Sequence, residues 1–324
     1  GDNDRLYLSF YNGYDKGFGK SKYEYQDGDN QVESNENFGL GWGNTIAAVR
    51  WNHVFNPQLF GNLTGTFSKY KFRIFSEYED VITNNEGRET SNELIEYFSG
   101  VNDFSLKADF DYLPNPTHNF KFGLSATHHT FNPGIFGYDT DTEGAQDTVI
   151  NSAQTDALEF YMYAEDDINL TSKLRGNVGV HYSSFLVNQK YYHSLQPRVS
   201  LRYLVSSDLS IKASYATMAQ YIHLLTNSGI GLPTDLWVPA TDQVKPQTSW
   251  QVALGAAKTI EGYEFSVEGY YKEMDNLIEY EEGASFFNLG TDWQDKVTSG
   301  RGQSYGAELL IQKKTGKFSG WLGY

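Results

Sequence analysis

The sequence predicts an all-β chain, a transmembrane antiparallel β-barrel present in part. Three observations carry this. Apolar and polar residues alternate over many segments of about ten residues, the length a tilted strand needs to cross a bilayer. Tight polar turns and long loops alternate between successive segments, the rhythm of a membrane barrel. The polar face of the alternation holds charges that a sealed core could not accept without partners, whereas a wet lumen could. Residues 195–255 show one full period: an alternating segment, the turn Ser206-Ser207-Asp208, a second segment, a long loop and the start of a third near Trp250.

Composition excludes several functions. The 25 Lys+Arg against 41 Asp+Glu leave a net charge of -16. Nucleic acid is therefore not an expected partner, since it needs a basic footprint. There is no cysteine, which removes disulfides, thiolate metal sites and a cysteine nucleophile. The aromatic share of 16%, with 24 Tyr, suits surfaces that are half apolar and half wet. No apolar run approaches the roughly 18 residues of a membrane helix, but hydropathy is nearly blind to membrane strands. The start, Gly1-Asp2-Asn3-Asp4, is neither an initiator methionine nor a signal peptide, so the chain is expected to be a piece of a longer one.

In order, Leu6, Leu8 and Phe10 share the first apolar face. Residues 12–36, rich in Gly, Asp, Asn and Lys, read as a loop. Thr45, Ala47, Val49 and Trp51 form the next face, and Phe55-Asn56-Pro57-Gln58 a turn. Leu59, Gly61, Leu63, Gly65 and Phe67 follow. The parity then slips near Lys69, after which Tyr70, Phe72 and Ile74 align; a β-bulge or exit from the membrane would explain it. Residues 77–93 read as an acidic loop. Phe104 to Tyr112, the turn Leu113–Thr117 and Phe120 to Ala126 make the clearest hairpin, with a long loop expected over 132–155. Strands from Leu158, Leu174 and Tyr263 repeat the pattern, residues 273–302 read as a loop, and a further strand runs from Tyr305. The total is roughly thirteen strands and no convincing amphipathic helix. Aromatics near strand ends, such as Tyr112, Trp250 and Tyr263, suit interfacial girdles.

Four blocks of the second half resemble the barrel of TonB-dependent outer-membrane receptors, particularly the Bacteroidetes type. They are LQPRVSLRYLVSSDLSIKASYATMAQYIHLL, VKPQTSWQVALG, FSVEGYYKEMDNLIEY and GQSYGAELLIQKKTGKFSGWLGY. The second departs from the family pattern at Gln247, where Glu is usual, and lacks an acidic residue over Val252–Leu254. The resemblance implies a barrel of about 22 strands, of which this chain would be an incomplete portion spanning 1–324 with the plug domain absent. It implies energy-coupled import of a siderophore, cobalamin or glycan, with the TonB–ExbB–ExbD system engaged through the missing plug. Outer-membrane lipid would surround the barrel, and a surface lipoprotein is a possible further partner. An incomplete barrel with two unpaired edges is not expected to insert in lipid as a closed pore.

Candidate sites follow from residue type. Lys107, Asp109, Arg175, Arg198, Arg202 and Lys212 fall on the lumen-facing parity. The loop holding Tyr221, His223, Asp235, Trp237 and Asp242 mixes aromatics with acids, which suits stacking on a sugar or a catechol ring; packing of the extracellular mouth is the plainer role. Asp139, Asp141, Glu143 and Asp147 resemble the front of a calcium loop, but the twelfth position is Ile150, so a solvated acidic loop is the preferred alternative. His128 and His129 point to opposite faces of a strand and cannot chelate one metal. Gly302-Gln303-Ser304-Tyr305-Gly306 matches a nucleophile motif but leads into a strand rather than a helix. Gly39, Gly41 and Gly43 lack the helix a phosphate loop needs and read as strand glycines. No catalytic residue and no cofactor is assigned. A passive porin is the alternative function, and an outer-membrane hydrolase a more distant one.

Overall fold

The alternation becomes strand wherever it is clear, and strand continues well beyond it. The computed structural model describes residues 1–85, 87–141, 148–151, 154–226, 236–284 and 292–324. The strands are β1 (Asp4–Asp27), β2 (Asn30–Asn56), β3 (Leu59–Asn84), β4 (Gly87–Asn115), β5 (His118–Thr140), β6 (Thr148–Asn151), β7 (Thr155–Asn169), β8 (Leu174–Val187), β9 (Lys190–Leu204), β10 (Leu209–Gln220), β11 (Ile222–Leu225), β12 (Leu236–Pro239), β13 (Gln247–Ile260), β14 (Tyr263–Tyr280), β15 (Val297–Lys313) and β16 (Gly320–Gly323). Thirteen of them pair in one order, β1-β2-β3-β4-β5-β7-β8-β9-β10-β13-β14-β15-β16, with β6 beside β5 and β11–β12 as a separate hairpin. All neighbours are antiparallel, and the sheet is not closed: β1 and β16 stand at its edges.

One end of the sheet carries only short turns, and their sequence explains them. The Asn56 side-chain oxygen accepts from the backbone N–H of Gln58 (2.9 Å) and Leu59 (3.0 Å). Asn115 does the same for Thr117 (2.9 Å) and His118 (3.2 Å). Thr171 closes its turn by accepting from Lys173 (3.1 Å) and Leu174 (2.9 Å). Such side chains mimic a backbone turn, which is why Asn and Thr mark these positions. A later turn at this end is Glu261-Gly262, where both residues take positive φ (49° and 82°), as a type I′ two-residue hairpin requires.

The apolar faces align across the sheet. Leu6, Trp51, Leu63, Ala108, Leu124, Met162, Tyr182 and Leu195 form one row of directly paired positions. Val178, Val199, Tyr215, Val252, Tyr271 and Tyr305 form another. These rows make the outer face. The lowest row, Leu59–Tyr112–Phe120, and the highest, Phe67–Phe104–His128, are eight residue steps apart. At about 3.3 Å per residue and a tilt near 40°, they span roughly 20 Å of height, close to the apolar band of a membrane barrel.

Four expected loops are instead strand over part or most of their length. Residues 12–27, 30–36, 77–84 and 87–93 belong to β1–β4, which are 24, 27, 26 and 29 residues long. β5 runs on to Thr140, and β14 and β15 enter the expected loop 273–302 from both sides. The reason is physical. Above the bilayer neither face needs to be uniformly apolar, so the period-2 signal fades while the backbone ladder continues. A tight turn at the far end, at Gly28 with φ of 60°, replaces one of the long loops expected there.

The parity slip at Lys69 is not a bulge. The β2–β3 ladder runs without interruption through Lys69, and its irregularity lies at Val54/Asn56. What changes is the environment. Below Lys69 the apolar side chains point outward; above it Tyr70, Phe72 and Ile74 point inward, against the β11–β12 hairpin.

Candidate functional site

The inner wall and the hairpin folded against it form the candidate site. On the wall, Lys107 Nζ lies 3.1 Å from Asp109 Oδ2. The Tyr163 hydroxyl donates to Asp109 Oδ1 at 2.7 Å. Arg50, Thr64, Ser105, Ser125 and Tyr161 complete a polar recess of about 340 Å³. A second recess, of about 270 Å³, lies nearer the short-turn end. There Arg175, Arg202 and Lys212 stand directly opposite one another on β8, β9 and β10. Asp167 approaches Arg175 at 3.6 Å, and Glu268 lines the same recess. Three cations abreast repel, so the recess favours an anionic group. Arg198 sits between them and the hairpin, with a buried Nε that has no partner among the described residues. These six charged residues, Lys107, Asp109, Arg175, Arg198, Arg202 and Lys212, lie on the face of the sheet opposite the outward apolar rows.

Higher on the wall is a group the sequence did not single out. His129, 4% exposed, lies between Asp103 (2.8 Å) and Glu159 (3.4 Å) on the two flanking strands. His128 faces outward beside Asp156 at 3.7 Å, so the two histidines do lie on opposite faces. The only advance signal for the His129 group was parity: Asp103, His129 and Glu159 all have the inward parity of their strands.

The hairpin is hung from this wall. Tyr221, 3% exposed, stacks on Phe185 with centroids 5.1 Å apart and planes 1° apart. Its hydroxyl lies 2.9 Å from Ser183 Oγ, which accepts from Gln196 Nε2 at 2.7 Å. His223 is fully buried, with Nδ1 3.1 Å from Gln247 Nε2. Burial pushes its imidazole pKa down to about 4 against a weaker opposing effect of the Lys245 backbone. Leu225, Leu236 and Val238 pack on Phe72, Tyr97, Val244 and Trp293; burying such side chains stabilises the seat by roughly 1.5–3 kcal/mol each. Of the five loop residues expected to meet a ligand, Tyr221 and His223 are thus enclosed by protein. Trp237 is partly open and Asp242 exposed. Asp235 lies outside the described residues.

Beside the hairpin, Phe38, Leu40, Ile74, Ile95, Tyr97 and Phe136 line an apolar recess of about 650 Å³ on the inner face of β2–β5. The alternation did not reveal it, because Phe136 falls in a segment read as a loop and Phe38, Leu40, Ile95 and Tyr97 lie outside the assigned apolar faces. The Tyr70-Phe72-Ile74 alternation was the available signal.

The other candidates resolve locally. Asp139 lies on β5, and Asp141 just beyond it accepts from Asn92 through both the backbone N–H (2.5 Å) and the side chain (2.7 Å). Glu143 and Asp147 lie outside the described residues. Ser304 of the G-x-S-x-G sequence is in mid-strand, paired with Lys272, with no elbow to expose it. Gly39 and Gly41 let rings lie over β2: a Cβ on Gly39 would meet Phe75 Cζ at 2.9 Å, and one on Gly41 would meet Tyr14 Cζ at 2.7 Å.

The profile of the family "TonB dependent receptor-like, beta-barrel" matches residues 1–324. No curated protein matches the chain. Among solved structures, the ferric-catecholate import receptor Fiu of E. coli K12 superposes with a TM-score of 0.58 at 10% identity, covering 98% of this chain and 59% of that one. The ferric preacinetobactin receptor BauA of Acinetobacter baumannii gives 0.52 at 10% identity, covering 94% and 53%. The FrpB iron transporter of Neisseria meningitidis gives 0.50 at 9% identity, covering 97% and 59%. At such identity the likeness is one of fold, and the chain spans little more than half the length of these proteins. The outward apolar rows, the wet inner wall and the profile match over the whole sequence agree: the chain belongs to the TonB-dependent receptor β-barrel family of the outer membrane.

Proposed function

We propose that the protein carrying this chain is an energy-coupled importer, with residues 1–324 supplying thirteen strands of a larger barrel. The inward-folded β11–β12 hairpin is the observation that carries this. A passive pore needs an open lumen. Here a buried hairpin narrows the wall side of the mouth, and a solute passing it needs a capture surface and a driven release. The plug and the TonB–ExbB–ExbD partners would come from outside this chain.

For the substrate we favour a ferric chelate. The apolar recess of Phe38, Leu40, Ile74, Ile95, Tyr97 and Phe136 offers aromatic faces to a flat ring, and Trp237 and Asp242 are at least partly open to solvent. Two of the solved proteins of like fold are named as ferric-chelate receptors and one as an iron transporter. Cobalamin and glycans are the competing classes, and a surface lipoprotein would favour the glycan. Whole cells bearing the complete gene should accumulate a radiolabelled ferric chelate only when TonB is present. Uptake that persists without TonB would replace this proposal with the porin. TonB-dependent uptake of cobalamin or a glycan alone would keep the importer and change the cargo.

A further inference from the structure

The recess at the short-turn end of the inner wall gathers three cations. Arg175 of β8 pairs with Arg202 of β9, and Arg202 pairs with Lys212 of β10. All three line the same cavity of about 270 Å³. Neighbouring strands lie about 4.8 Å apart, so the outer two of these backbones are only about 10 Å from each other. Side chains of this length converge on one small group between them. One inward step above stand Asn177, Ser200, Ser214 and Ala253, all of them short, and they line the cavity too.

The row of cations continues into an acceptor. Lys212 pairs with Gly255, and Gly255 with Glu268. A Cβ on Gly255 would lie 3.3 Å from Glu268 Oε2. The carboxylate therefore leans over the glycine, on the side of Lys212. Arg202, Lys212 and Glu268 have no ion-pair or side-chain hydrogen-bond partner among the described residues, and all three are exposed. The neighbouring acids are already engaged. Asp167 is shared between Arg175 at 3.6 Å and Asn177 Nδ2 at 3.2 Å, and Glu264 is held by Lys314 at 2.9 Å.

Three cations abreast repel unless an anion lies among them. Glu268 decides which anion. A fully ionised inorganic oxyanion offers acceptors only, and Glu268 would repel it. A hydroxycarboxylate brings carboxylates for the cations and a hydroxyl that donates to Glu268. The cavity has the volume of about nine waters, which suits a small organic acid and not a bulky chelate.

We infer that Arg175, Arg202, Lys212 and Glu268 bind a small hydroxycarboxylate at the periplasmic opening of the lumen, where the short turns lie. The guanidinium forks take a carboxylate in bidentate fashion, and Lys212 stands between that carboxylate and the hydroxyl held by Glu268. The inference rests on which face of the sheet is wet and not on the proposed import.

The test is calorimetric titration of the complete detergent-purified protein at physiological ionic strength, with three probes: citrate, tricarballylate (citrate without its hydroxyl) and sulfate. Citrate should bind about tenfold more tightly than tricarballylate, and sulfate more weakly than either. R202Q/K212Q should bind citrate about tenfold more weakly than the unaltered protein, or less still. E268A should bring the ratio of citrate to tricarballylate affinity close to one. K258Q, on the outward face of β13 at the same end, should bind citrate as the unaltered protein does. Heat-modifiable gel mobility verifies that each variant is folded. Equal citrate affinity in R202Q/K212Q overturns the inference, as does an equal loss in K258Q. An unchanged ratio in E268A, or sulfate bound as tightly as citrate, overturns the choice of a hydroxycarboxylate. No citrate bound by the unaltered protein overturns the site itself, since a carboxylate of the protein's own would then fill the recess.

Discussion

Acidification should loosen the β11–β12 hairpin through His223. This imidazole is fully buried and its pKa lies near 4, below the usual 6.5. When the hairpin opens, the imidazole meets water and regains its ordinary pKa. The folded form therefore binds fewer protons below pH 6.5, and stability falls as the pH falls. The contribution is complete above about 6.5 and is lost progressively down to about 4. At pH 5 the two pKa values give a loss of about 2 kcal/mol, or roughly a thirtyfold larger opening constant. Hydrogen exchange of residues 236–240 in the complete protein, corrected for intrinsic exchange chemistry, reads that constant directly. Those backbone groups are held by the ladder to β11 and by the bond from the Ala240 N–H to the Tyr221 carbonyl at 2.7 Å. H223Q removes the titrating group and should flatten the dependence between pH 7.5 and 4.5. The same slope in H223Q as in the unaltered protein would refute the assignment to His223.

Two further outcomes follow from the wall. Leu254, 62% exposed on the outer face between Ala213 and Gly269, lies midway along β13, so Leu254→Lys should cost about 2–4 kcal/mol in a lipid-vesicle unfolding titration; Ala253→Lys, one residue away on the wet face, should cost far less, and equal costs would reverse the facing. Asp109→Ala removes the acceptor of Tyr163 and the partner of Lys107 and should cost about 1.5–3 kcal/mol in thermal unfolding; Asp109→Asn keeps an acceptor and should cost less, and two equal losses would deny Asp109 that part.

The patterns legible in the sequence were those in which one physical constraint acts along the strand. Leu6-Leu8-Phe10 and Phe104-Leu106-Ala108-Phe110 face lipid, so every second residue is apolar, and both segments were recognisable. The turns at Asn56, Asn115 and Thr171 were legible because a single side chain closes each of them. The inward charges were legible too, since alternation assigns Lys107 or Arg202 to the face opposite its apolar neighbours. The continuation of tall strands through Asn12–Glu36 and Glu77–Glu93 was not. There, long-range backbone pairing maintains the ladder, and no side-chain period announces it.

By itself the sequence determined the thirteen strands of the main order, the lipid face, the short-turn end and the family. It could do so because each depends on local alternation or on residues close along the chain. Only the tertiary structure decided what lies inside. Tyr221 and His223 looked like ligand contacts by composition, yet Phe185, Ser183 and Gln247 enclose them. Tyr70, Phe72 and Ile74 looked like a slipped register, yet they face a hairpin more than 150 residues away in sequence. Alternation states that two faces differ; what covers each face is set by chain that arrives from elsewhere.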